Sequence, residues 1–76
     1  MERNRQALTS EEALIVGQRL RALRGERPQK EIAEAIGVTT MAVSLYETGK
    51  RVPEDGTKRK LADFFGESVE SIFFTF

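Results

Sequence analysis

The side chains with evident chemistry gather between Gln29 and Arg51, in QKEIAEAIGVTTMAVSLYETGKR. Gln29 places an amide where a helix is expected to open, and the free N–H groups of such an end attract anions. Thr39 offers a hydroxyl at the start of the next helix, and Lys50 and Arg51 put two positive charges just beyond its end. Amides, hydroxyls and cationic side chains of this kind hydrogen-bond phosphate oxygens. Between these flanks, Thr40, Met41, Ser44 and Leu45 share one helical face, with Thr48 below them and Ala42 at the edge. That face holds no charge and no Arg, Asn or Gln. What it offers is hydroxyl hydrogen bonding and apolar contact.

Catalysis is not expected from this inventory. The chain has no His and no Cys, so thiol nucleophiles, disulfides, imidazole bases and the usual zinc sites are excluded. Glu31 and Glu34 lie one helical turn apart, but no apolar pocket is evident around either. There is no Gly-rich phosphate loop and no cluster of metal ligands. No enzyme activity, cofactor or metal is therefore expected.

A length of 76 residues implies one domain with a modest core. Twelve Lys and Arg balance twelve Asp and Glu, yet the charges are not spread evenly. Residues 14–60 hold ten basic and six acidic side chains, a net of +4, and the flanks carry the compensating −4. A basic middle between acidic flanks suits contact with a polyanion on one face. No apolar run approaches the ~18 residues of a membrane span. The first ten residues have no apolar segment of the signal-peptide kind, so a cytoplasmic, nucleoid-associated location is expected.

The elements that position these residues can be read from caps and periodicity. Residues 1–8 are polar and read as a flexible arm, and residues 9–76 as a single folded unit. Thr9 and Glu12 fit a capping box for a first helix reaching about Arg24, with Ala13, Val16, Leu20 and Leu23 in one apolar stripe. Gly25 ends it. Pro28 is expected to begin the second helix, about 28–36, which buries Ile32, Ala33 and Ile36. Gly37 can take the positive φ of a tight turn, Val38 plugs the core, and Thr39 caps a third helix, about 40–48, with Val43 and Tyr46 facing inward. Gly49 stops that helix. A fourth, about 55–65, turns Leu61, Ala62 and Phe65 inward, and its Lys58-Arg59-Lys60 run reads as solvated. Ser68 caps a short fifth helix that buries Val69 and Ile72. The spacing predicts an all-α bundle of five short helices, with a small residue at Ala33 letting helices 2 and 3 cross closely.

The set Arg24, Gln29, Ile32-Ala33, Ile36-Gly37-Val38, Val43-Ser44, Tyr46-Glu47, Gly49-Lys50-Arg51 and Pro53 resembles the lambda-repressor-like family of helix-turn-helix regulators, the phage repressor and Cro group. The resemblance spans about residues 14–74, and the tail KLADFFGESVESIFF resembles a subset of small phage and mobile-element regulators. It implies that helix 3 enters the major groove of double-stranded DNA, that Gln29 binds a phosphate, and that Arg24 and Glu47 pair to join helix 1 to helix 3. Pro28 stands where the family usually has Ser or Thr. The connection between helices 1 and 2 is about two residues shorter than common. Glu54-Asp55-Gly56 replaces a more usual apolar start to helix 4.

On this reading Thr40, Met41, Ser44 and Leu45 read bases, while Gln29, Thr39, Lys50 and Arg51 hold phosphates. Without bidentate donors, recognition is expected to depend on thymine methyls and on DNA shape. The competing reading buries Met41 and Leu45 against another protein. Phe73, Phe74 and Phe76 are more aromatic surface than a short helix needs, so they are expected to contact a second copy. A dimeric repressor on a palindromic operator follows, regulated through its concentration or a protein partner. Two alternatives stand beside it: the antitoxin of a toxin–antitoxin pair, and a helix-turn-helix fold used as a protein-interaction module.

Overall fold

Five helices make up the computed structural model, which describes residues 8–76: α1 (Ser10–Arg24), α2 (Gln29–Ile36), α3 (Thr40–Glu47), α4 (Asp55–Phe65) and α5 (Val69–Phe73). Among the described residues there is no strand. The starts follow local chemistry. Thr9 Oγ1 accepts from the Glu12 N–H at 3.1 Å while Glu12 Oε1 accepts from the Thr9 N–H at 3.0 Å, a reciprocal cap. Thr39 Oγ1 accepts from the Ala42 N–H and Ser68 Oγ from the Ser71 N–H, both at 3.0 Å. Pro28 stands one residue outside α2. Its ψ of 150° is extended, and it serves as the cap residue whose carbonyl accepts the Glu31 N–H. α3 ends at Glu47, with Thr48 as its cap.

α1 lies across α3 and α5, α2 packs on α3 and α4, and α4 closes on α5. Val16, Leu20, Ile32, Ala33, Ile36, Val43, Tyr46, Leu61, Ala62, Ile72 and Phe73 are buried together with Ala42 in one core. Gly37, at φ 76°, makes the left-handed turn that carries α2 into α3, and its N–H and that of Val38 both reach the Ala33 carbonyl. A second tight helix contact lies elsewhere. Gly17 of α1 sits against the last turn of α3, where a Cβ would overlap the Glu47 carbonyl oxygen and lie 2.8 Å from that of Tyr46. Ala33 of α2 is buried in the core, and Gly17 of α1 admits the end of α3.

Besides the start of α2, four expectations are corrected. Lys58 is buried, not solvated: it lies on the same helical face as Leu61 and Ala62, and α5 covers it. Its Nζ lies 4.9 Å from the Phe74 ring centroid, 5.8 Å from that of Phe73 and 3.8 Å from Asp55 Oδ1, with no hydrogen-bond partner. Phe73 is fully buried and completes the core, so it presents no surface to a second copy. Ala42, placed at the edge of the outer face of α3, is buried as well. The expected arm lies outside the described residues up to residue 7, while Leu8 packs against the core and belongs to the folded unit. None of the described helices is long and apolar enough to cross a membrane.

Candidate nucleic-acid interface

α3 is held firmly at one end and presented at the other. Its last turn rests on Gly17, and the carboxylate of Glu47 is gripped by two helices. Arg24 Nε and Nη2 donate to Glu47 Oε2 and Oε1 at 2.6 and 3.0 Å, a bidentate pair. Gln29 Nε2 donates to the same Oε1 at 3.0 Å. The third Arg24 nitrogen donates to the Arg27 carbonyl at 2.8 Å, so all three guanidinium nitrogens are engaged. Side-chain exposures of 17% for Arg24 and 6% for Glu47 make this an interior contact. The hydrogen bond to Glu47 raises the Arg24 guanidinium above its ordinary value against the opposing cost of burial. The cluster ties the end of α1, the start of α2 and the end of α3 together.

The first turn of α3 faces outward. Thr40 is exposed and Met41, at 68%, is the most exposed large apolar side chain described. Ser44 and Leu45 are half-buried on the same face. Thr48 is exposed, but its hydroxyl donates back to the Ser44 or Leu45 carbonyl at 3.0 or 3.3 Å. The hydroxyls of Thr40 and Ser44 make no hydrogen bond to another described residue. The four residues expected to read bases are thus brought together, with Thr40 and Met41 foremost and Leu45 less available than expected.

The phosphate candidates flank this face. Lys50 and Arg51 are exposed, and their N–H groups reach the Leu45 carbonyl at 3.0 and 3.3 Å, folding the basic turn against the end of α3. Gly49 makes that turn possible: its φ is 76°, and a Cβ there would lie 3.0 Å from Leu14 Cδ2. Thr39 is exposed; its hydroxyl oxygen accepts the Ala42 N–H as a cap, which leaves the proton to donate outward. Gln29, half-buried, uses one amide N–H on Glu47 and keeps a second.

Several basic side chains turn inward. Arg27 donates to the Arg24 and Leu23 carbonyls at 3.1 and 2.8 Å and stacks over Phe64 and Phe65. Arg19 donates to the Ser71, Ile72 and Thr75 carbonyls at the end of α5 and lies over the Phe76 ring. With Arg24 and Lys58 these are structural cations. Arg21, Lys30, Lys50, Arg51, Arg59 and Lys60 are the exposed basic residues of the central segment. Gly17, Arg19, Arg27 and the bond from Gln29 to Glu47 were not anticipated. Gly17 carried a local sign, sitting on the stripe with Ala13 and Leu20; the arginine contacts carried none. Half-buried Phe74 and exposed Phe76 are what remains of the aromatic surface at the C-terminus.

A family model of the helix-turn-helix domain matches residues 15–71, well over half of the chain. No match is found among curated proteins.

Proposed function

Because the chain belongs to the helix-turn-helix domain family, we propose that it is a sequence-specific regulator that lays α3 in the major groove of double-stranded DNA. The observation that carries this reading is the asymmetry of α3. Its last turn is clamped by Gly17, Arg24 and Gln29, while its first turn offers Thr40 and Met41 to the outside. Recognition helices of this fold touch base edges with their N-terminal residues. Lys50, Arg51 and the free N–H of Gln29 lie at the other end of the helix, where they serve as phosphate ligands and set register without reading sequence. The reading is non-catalytic and needs no cofactor.

The finer proposal is a dimeric repressor of the lambda-repressor-like kind acting on a palindromic operator in the cytoplasm. A single module of this size contacts one half-site, and two-fold pairing doubles the contact. With Phe73 inside the core, the pairing surface is the exposed edge of Phe76 with Phe74 behind it. Selection from a random duplex pool tests the reading. Paired half-sites about one helical turn apart support it, and a pool that stays random contradicts it. The exposed thioether of Met41 favours a second reading, a protein-interaction module. That reading is favoured if no motif emerges and α3 substitutions leave DNA retention unchanged.

A further inference from the structure

The chemistry left free on α3 is narrow. The helix has no amide and no guanidinium side chain. Thr39 stands before the helix and its oxygen accepts the Ala42 N–H, and the Thr48 proton is held by its own helix. Ser44 is half-buried, which leaves the Thr40 hydroxyl and the Met41 thioether as the outward groups of the first turn. In the major groove the apolar feature of a base edge is the C5-methyl of thymine. 5-Methylcytosine carries the same methyl at the same position and differs beside it, with an amine donor in place of a carbonyl acceptor. A thioether has no proton to donate and accepts only weakly, so it discriminates little between that donor and that acceptor, and its unbranched chain adapts to either. The Thr40 hydroxyl can donate or accept, so it discriminates poorly between them as well.

We propose that Met41 makes this chain a reader of the pyrimidine C5-methyl group, so that thymine and 5-methylcytosine are both favoured over their unmethylated counterparts at the base position beneath it. Cytosine methylation of the target would then strengthen binding. The inference rests on the DNA-binding reading above. It goes beyond thymine preference because it places the discrimination on the methyl group alone.

The test uses the duplex selected from the random pool, with base changes made one position at a time. Deoxyuridine replaces thymine in one series; 5-methylcytosine is compared with cytosine in the other. Removing the methyl at the Met41 position is expected to weaken binding about fourfold in each series, the worth of one buried methyl-sized group. Met41→Ala, a surface change that leaves the core untouched, should shrink both differences to less than about twofold while binding persists through phosphate contacts. Methyl-free duplexes bound as tightly as methylated ones at every position would overturn the inference and leave the DNA-binding reading standing. A methyl effect that survives in Met41→Ala would overturn it too. Binding with no sequence preference at all would remove both.

Discussion

Glu47 sits at the C-terminal end of α3, where the helix dipole disfavours a carboxylate. It stays because Arg24 and Gln29 supply three hydrogen bonds. Removing it leaves a partly buried guanidinium and amide without their acceptor. Glu47→Ala is expected to cost about 2–3 kcal/mol in urea unfolding, whereas Lys30→Ala on the surface stays within about 0.5 kcal/mol. A Glu47→Ala protein as stable as its parent would show that the cluster is superficial. Lys58 is the opposite case. Its ammonium is buried without a hydrogen bond, and the rings of Phe73 and Phe74 offset only part of the desolvation. Lys58→Met keeps the stem and discards the charge, and is expected to raise stability by about 1 kcal/mol. A loss of that size would mean that the ring faces and Asp55 outweigh desolvation. Both residues mark the limit of reading side chains along a chain. Lys58 could have been placed inward from its spacing to Leu61, but a run of three cations gives no phase until α5 closes over one of them. The bond from Gln29 to Glu47 spans 18 positions and had no local sign.

At the scale of the element, α3 is an eight-residue helix. Isolated helices of that length are marginal, so packing sustains it. The contact with Gly17 is the sharpest test, because two effects of one substitution oppose each other. Gly17→Ala improves helix propensity by ~1 kcal/mol, but its methyl would collide with the Glu47 carbonyl. Backbone yields less readily than a side chain, so a net loss of about 2 kcal/mol is expected, with α3 displaced. Gly56→Ala is the control: a Cβ there meets nothing within 4 Å, and a gain of about 0.5–1 kcal/mol is expected. Thermal unfolding of the two variants beside the parent decides it; equal gains would mean that α1 and α3 are not in fixed contact. Helix boundaries were legible because caps are local. Thr9 with Glu12, Thr39, Ser68 and Gly37 announce their own turns. Helix approach was legible only in part. Ala33 is legible as a small residue on the buried face of α2, while Gly17 reads as an ordinary helix breaker unless its stripe is followed.

For the molecule as a whole, four of the ten central cations are structural, which reduces the set free for phosphate. Affinity for DNA should therefore fall with salt as for a few phosphate contacts per chain. The core also sets an alkaline limit. Burial pushes the Tyr46 phenol up, Arg51 pulls it down and Glu54 adds a smaller upward push. The folded state thus keeps a proton that the unfolded chain releases near pH 10. Stability from the neutral phenol is full below about pH 10 and is lost as pH rises through the folded value. The urea midpoint should fall above that pH in the parent and fall less in Tyr46→Phe; identical profiles would exclude Tyr46 as the cause. The central claim is that this fold reads DNA sequence through α3. Its most direct measurement is the ratio of affinities for the selected duplex and a scrambled duplex of equal composition at physiological salt. A ratio of about 1,000 or more is expected for a specific regulator, falling when Thr40 and Met41 are both replaced by Ala. A ratio near one, unchanged by those replacements, would contradict it.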